Sequence, residues 1–277
     1  MPNDFNDTII EEFRANAGRL GGPFAGGRLL LLTTTGARTG TPHTTPLGYL
    51  PDGGDRVLVI ASAGGATRDP QWLRNLLADP LVTVEDGVFT YRARAEVLTG
   101  AERDGVFARA VAADAGWSDY QRRSGRVLPV VALVPLPGPP TPAAAASPGA
   151  ALVAIHDAFR RELDLIRREV AGAGAGIGAQ LRMNCLTVCQ GLRNHHRGED
   201  ERIFPWLAQR GPRLRPVLER LDAEHRAMAA LLDELRELLA APAVDPVTLH
   251  AEVRRLTAQV EAHLAYEEEQ LVPLLDG

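Results

Sequence analysis

The chain contains no lysine. All 30 of its basic residues are arginine, set against 35 acids, for a formal net charge of -5. Both signs are interspersed, so there is no basic stripe of the kind that neutralises phosphate. A nucleic-acid partner is not expected. Beside so much alanine, glycine and proline, the missing lysine reflects a GC-rich coding sequence rather than a function. Long apolar runs are also absent. None reaches about 18 residues, so no transmembrane helix is expected. Met1-Pro-Asn-Asp-Phe5 lacks a basic stretch followed by an apolar one, so export is not expected either. The expected location is cytoplasmic, with peripheral attachment to the inner membrane face as the other option. No GxGxxG follows the first strand, which excludes a dinucleotide-binding parallel sheet. Only two cysteines occur, Cys185 and Cys189. At that spacing they read as small core residues on one helical face. A disulfide within a helix is awkward, and the cytosol is reducing.

With 277 residues and 45% hydrophobic content, the chain is long enough for two domains with separate cores. Proline repetition marks the boundary, from Pro137 to Pro148. The expected organisation is a first domain over 1–137, a Pro/Ala linker over 138–148 and a second domain over 149–277. The first half alternates strand and turn signals. Strands are expected over 28–35, 43–50, 56–63, 81–85, 88–98 and 127–134. Helices are expected over 8–19, 70–78 and 102–113. Asp86-Gly87 is the strongest hairpin turn. Antiparallel hairpins with inserted helices imply an α+β barrel. The second half is helical throughout, over 151–170, 180–209 with an interruption at Pro205, 213–239 and 247–271. Four such helices with modest loops read as an all-α up-down four-helix bundle.

Six of the seven histidines lie after residue 150. Four of them form a rhythm: His156, His195 with Glu199, His225, and His263 with Glu267. The i,i+4 spacing places each imidazole–carboxylate pair on one helical face. Each residue also falls on an otherwise apolar stripe, where an ionisable group is costly unless it is paired or metal-bound. Six such positions on four helices point to two transition-metal ions. Imidazole with carboxylate suits iron, manganese or zinc, and a carboxylate can bridge two ions. His196 and His250 fall outside the rhythm. His196 could replace His195 by pairing with Asp200, but His195 keeps the HisxxxGlu spacing. Tyr266 is either a partner of a ligand or a surface residue.

These positions, with Glu224-His225 and Ile203-Phe204-Pro205, resemble the hemerythrin-like, or HHE cation-binding, family. The resemblance implies two iron ions, two bridging glutamates and a small ligand such as dioxygen, nitric oxide or peroxide. Oxygen-carrying members have a HisxxxHis pair on the third helix. Here position 229 is Ala, which implies a more open site.

The first half carries a second resemblance. Ile10-Glu-Glu-Phe-Arg-Ala-Asn16, Leu31-Leu-Thr-Thr-Thr-Gly36, Gly40-x-Pro-x-Thr-Thr-Pro-Leu47, Trp72-x-x-Asn-Leu76, Asp119-Tyr-Gln121 and Pro129-Val-Val131 resemble the deazaflavin-dependent nitroreductase family. That resemblance implies a split β-barrel of the FMN-binding type, although with coenzyme F420 rather than FMN. It implies hydride transfer to a quinone-like or nitroaromatic acceptor. Carried over, the cofactor contacts are Ala37, Arg38, Thr39, His43, Thr44, Thr45, Pro46, Leu47, Gly48, Ile60, Ala61, Ser62, Ala63, Gln71, Trp72, Leu73, Arg74 and Asn75. Trp117 and Tyr120 lie near the acceptor, with Tyr120 the first candidate for a catalytic acid. His43 stands where an arginine is common, Ala63 where a lysine is common, and Trp117 where a tyrosine is common. A homodimer is expected by analogy with related barrels. The alternative reading is an iron-based sensor or binding protein whose barrel has lost turnover.

Overall fold

The computed structural model describes residues 4–137, 141–142, 145–172, 178–241 and 244–277. It divides into two units, Met1–Ala144 and Ala145–Gly277.

In the first unit, Asp4–Ala15 (α1) precedes Leu29–Thr35 (β1), Pro42–Pro51 (β2) and Val57–Ile60 (β3). Gln71–Ala78 (α2) leads into Leu81–Glu85 (β4) and Phe89–Val97 (β5). Gly100–Ala113 (α3) and Gly116–Ser124 (α4) precede Val130–Pro135 (β6). Every pairing is antiparallel, in the order β4-β1-β2-β3-β6-β5. Because β4 also pairs with β5, six strands close into a barrel and leave no open edge there.

Strands β3 and β6 are apolar on both faces because both faces are covered. Val59, Val131 and Leu133 join Leu30, Leu32, Val82 and Val84 in one core, together with Trp72, Leu73 and Leu76 of α2. Leu58, Ile60, Val130 and Ala132 face the other way, into a core with Val106, Phe107 and Ala110 of α3. The hairpin at Asp86-Gly87 forms as its sequence predicts. Asp86 Oδ1 accepts from the N–H groups of Val88 and Phe89, at 2.9 and 2.8 Å. Gly87 has φ +97°, and a Cβ there would lie 2.7 Å from the Ala17 carbonyl oxygen. Only glycine meets both conditions.

Two expectations need correction. Helix α4 sets Trp117 and Tyr120 against the α3 core, a stripe too short for periodicity to find. Arg103 also holds it, its guanidinium donating to Gln121 Oε1 at 2.8 Å and to the Leu128 carbonyl at 2.7 Å. The linker expected over 138–148 is not wholly free. Phe89 and Thr90 extend past the β5–β6 pairing, and Thr141–Pro142 (β7) pairs with them. Residues 138–140 and 143–144 lie outside the described residues.

The second unit holds Pro148–Gly172 (α5), Ala179–Gly198 (α6), Phe204–Ala208 (α7), Arg215–Ala240 (α8) and Pro246–Leu275 (α9). Much of the glycine-rich loop expected over 171–178, and Pro242-Ala243 of the turn expected over 242–246, lie outside the described residues. Asp245 caps α9 by accepting from Thr248 N at 2.9 Å. The four long helices form the expected bundle. The break in the second helix is a π-turn over Glu199–Ile203, just ahead of Pro205. Two apolar cores fill the unit. One joins Leu163, Leu192, Met228, Val260 and Leu264. The other joins Leu152, Phe204, Leu221 and Leu271. On α5 and α8 the site histidines fall between these cores. Cys185 and Cys189 are buried and unbridged.

Candidate metal centre and cofactor face

All six sequence-predicted ligands converge in the bundle. His156 is fully buried, as is Glu267, and Glu199, His225 and His263 are nearly so. The Nε2 atoms of His156 and His195 lie 3.2 Å apart, and those of His225 and His263 lie 3.1 Å apart. Two nitrogens at right angles on one ion, each about 2.1 Å from it, would be separated by roughly 3 Å. Each glutamate spans the two pairs. Glu199 lies 3.2 Å from His195 Nε2 and 3.6 Å from His225 Nε2. Glu267 lies 3.4 Å from His156 Nε2 and 3.5 Å from His263 Nε2.

The ring orientations have a visible cause. His156 Nδ1 faces Glu268 at 2.8 Å, His225 Nδ1 faces Asp200 at 2.7 Å, and His263 Nδ1 faces Glu224 at 2.9 Å. A carboxylate on Nδ1 fixes the tautomer and leaves Nε2 free for a metal. Spacing along one segment does not reveal these three pairings, because each carboxylate reaches across from another helical segment. Tyr266 does not take that role. Arg220 lies over its ring at 3.6 Å. Asp200 serves His225, not His196, and His196 turns inward alongside His195. His250 is half-buried.

Among the described residues, all four carboxylate oxygens of Glu199 and Glu267 are buried without a hydrogen-bond partner, as is Nε2 of His196. Unpaired buried acceptors are costly. Here they face a ring of imidazoles, so the donor set fits metal ions. Burial lowers all five imidazoles, His156 to about 4, and leaves them neutral as ligands. Burial also raises Glu199 and lifts Glu267 to about 7.

These shifts set an acid limit on the metal-free bundle. Between 6.5 and about 4 the unfolded chain takes up a proton that folded His156 refuses, so stability falls as pH falls. Glu267 acts the opposite way between 4.5 and about 7, where the folded carboxyl keeps a proton that the unfolded chain releases. Five imidazoles outweigh two carboxyls. The metal-free protein is therefore expected to melt at a lower temperature at pH 5 than at pH 7. A higher midpoint at pH 5 would put the carboxyls in control.

In the barrel, the predicted cofactor residues divide by exposure. Ala37, Arg38, Thr39, His43, Gly48, Ala63, Gln71 and Arg74 are exposed, while Thr44, Thr45, Pro46, Leu47 and Ser62 are half-open. Ile60, Ala61, Trp72, Leu73 and Asn75 are buried, so their side chains do not line the surface. Asn75 instead braces the loop after β1. Its Oδ1 accepts from Ala37 N at 3.1 Å, and its amide donates to Thr34 Oγ1 at 3.0 Å. Gly36 closes that loop, with its N–H donating to the Thr41 carbonyl at 2.8 Å. A Cβ on Gly36 would lie 2.6 Å from Thr39 Oγ1 and 2.8 Å from His43 Nε2. Gly36→Ala is thus expected to displace Thr39 and His43 and to raise the KM for the expected cofactor several-fold or more, read in steady-state assays.

The second cluster lies at Ser62–Gly65. Ala63, Gly64 and Gly65 all have positive φ, at 47°, 62° and 84°. A Cβ on Gly65 would lie 3.4 Å from the Tyr120 ring. Tyr120 and Trp117 meet edge to face at 6.0 Å, and Arg123 covers the Tyr120 ring at 5.0 Å. Arg126 holds this turn by donating to the carbonyls of Ala61 and Ser62, at 2.8 and 3.1 Å. Loop 37–39 with α2, and turn 60–65 with Trp117 and Tyr120, are two assembled parts of one expected cofactor face. Its exposed backbone turns and its arginine, Arg38, fit an anionic cofactor.

The chain thus joins a closed antiparallel barrel with a half-open β2 face to a helical bundle around a buried His/Glu cluster. Comparison with known proteins gives each part its family. Residues 7–135 match the family model for F420H(2)-dependent quinone reductase, and residues 147–275 match the Hemerythrin HHE cation binding domain. An F420H(2)-dependent quinone reductase of Mycobacterium tuberculosis (strain ATCC 25618 / H37Rv) is 36% identical over 125 residues, which span 44% of this chain and 83% of that protein. A second quinone reductase from the same strain is 35% identical over 106 residues, which span 38% of this chain and 88% of that protein. A solved structure titled F420-H2 dependent reductase is 33% identical with a TM-score of 0.35, covering 38% of this chain and 93% of that one. The chain belongs to the F420H(2)-dependent quinone reductase family through its first unit, and it is an F420-dependent oxidoreductase with a hemerythrin-like domain attached.

Proposed function

We propose that the barrel binds reduced F420 and passes its hydride to a quinone-like or nitroaromatic acceptor, while the bundle holds two iron ions that take a small ligand. F420 supplies the hydride, and the chain supplies its position and a dry face. Ala37, Arg38 and Thr39, on the loop that Asn75 braces, would hold the cofactor's anionic part. Strand β2 from His43 to Gly48 and the turn Ile60–Ala63 would lie along it, with Gln71 and Arg74 beside the loop. Trp117 and Tyr120 would wall the acceptor side, and the Tyr120 hydroxyl is the candidate proton donor. In the bundle, His156, His195, His225 and His263 would ligate through ring nitrogens and Glu199 and Glu267 would bridge. Iron there would bind dioxygen, nitric oxide or peroxide, or exchange electrons.

The observation that carries the barrel reading is the quinone reductase likeness along the whole unit, together with an assembled loop at its most informative motif. Fluorescence titration with F420, followed by turnover of menadione with reduced F420, tests it. Absence of cofactor binding would sink it. The orphaned carboxylates carry the bundle reading, and iron content per chain tests that.

A second reading has its own support. His43 and Ala63 remove positive charge from the cofactor face, and Ala63 is exposed in the structure. On that reading the chain is a sensor, and tight F420 binding without turnover of any acceptor would favour it. Homodimer formation remains part of the main reading, supported by analogy with related barrels, and light scattering would check it.

A further inference from the structure

The bundle contains an imidazole that the six-ligand set leaves unused. His196 is 5% exposed and its Nε2 has no hydrogen-bond partner. Its ring stacks on His225 at 4.2 Å and meets His263 edge-on at 5.3 Å. One donor atom from each of His196, His225 and His263 falls within a span of 4.8 Å, and the same holds for His156, His195, Glu199 and Glu267.

We infer that His196 is a metal ligand, the third imidazole on the ion held by His225 and His263. This inference rests on the reading of the bundle as a metal centre. A buried imidazole nitrogen without a partner is unfavourable, and a bond to a metal removes that cost. Its ring neighbours are three other histidines. Adjacent residues on a helix point about 100° apart. His195 can therefore serve one ion and His196 the other. The π-turn that follows brings Glu199 between the two and Asp200 onto His225. Position 229, one turn beyond His225, is Ala and gives no imidazole. The second helix thus supplies the ligand that the third lacks.

The two ions are then unequal. One has three imidazoles, His196, His225 and His263. The other has two, His156 and His195, and both share Glu199 and Glu267.

The test uses the full chain loaded anaerobically with ferrous iron. X-ray absorption of the wild type is expected to give about 2.5 imidazoles per iron, five shared by two ions, rather than about 2. His196→Ala is expected to lower the count to about 2 and to weaken uptake of one iron by at least about tenfold. Ala229→His added to that variant is expected to move the count back towards the wild-type value. Unchanged iron affinity and imidazole count in folded His196→Ala would overturn the inference. If that variant does not fold, a wild-type count near 2 overturns it alone. A wild type that takes up no iron is a separate result, and it removes the metal reading itself.

Discussion

Replacing Glu199 and Glu267 together by leucine is expected to abolish iron uptake and to make the metal-free protein more stable. The two effects share one cause. Glu199 is 1% exposed and Glu267 is fully buried, and none of their carboxylate oxygens has a hydrogen-bond partner. Burial raises both carboxyls, so the metal-free fold carries the cost of desolvating them. Exchanging buried ionic groups for apolar ones of similar volume commonly stabilises a protein by about 1–4 kcal/mol. In a domain of this size that raises the melting temperature by roughly 3–20 °C. Iron should act the other way on the two proteins. At about a thousandfold excess over its dissociation constant it stabilises the wild type by about 4 kcal/mol, and it leaves the double variant unchanged. Calorimetry of both proteins, with iron and with chelator, reads all four values. A metal-free variant less stable than the wild type, or one still holding two irons, would contradict the reading of these residues as bridges.

Asn75→Leu is expected to weaken F420 binding by about tenfold or more and to cost about 2–3 kcal/mol of stability. Asn75 is fully buried and lies in the helix, not in the loop it controls. Its loss leaves the N–H of Ala37 and the buried hydroxyl of Thr34 without these bonds, and it also frees the Gln71 amide that donates to it at 3.2 Å. The loop from Ala37 to Thr39 would then lose this anchor to α2. Asn75→Asp keeps an acceptor for Ala37 and is expected to fall between the two. Urea unfolding and F420 fluorescence titration give the two readouts. Unchanged affinity in a folded Asn75→Leu protein would show that the loop does not hold the cofactor.

The histidine rhythm was legible because a helix repeats in sequence as it does in space. His156, His195, Glu199, His225, His263 and Glu267 each share a stripe with leucines and valines, and the fold brings them together. His196 broke that rule by adjacency, and only its ring contacts with His225 of α8 and His263 of α9 show where it points. Asp200, Glu224 and Glu268 were hidden for another reason. Their partners lie on other helical segments, and no spacing within one segment records a contact between two. In the barrel, the motif around Trp72 and Asn75 marks a segment without revealing its face. Trp72 packs in the core and Asn75 acts from beneath the surface. Helix α4 was hidden because its apolar stripe is only Trp117 and Tyr120, with a buried arginine completing its attachment.

The π-turn over Glu199–Ile203 makes this stretch sensitive to length as well as to composition. It adds one residue to the helix and so shifts the angular phase of everything after it by about 100°. Deleting any one residue of the turn would return it to ordinary helix and rotate the chain beyond it. Phe204 would leave the face of the His225 ring, where it now stacks at 5.3 Å, and fully buried Leu207 would turn towards solvent. Substitution can be absorbed here side chain by side chain, whereas a change of a single residue in chain length displaces a whole helical face.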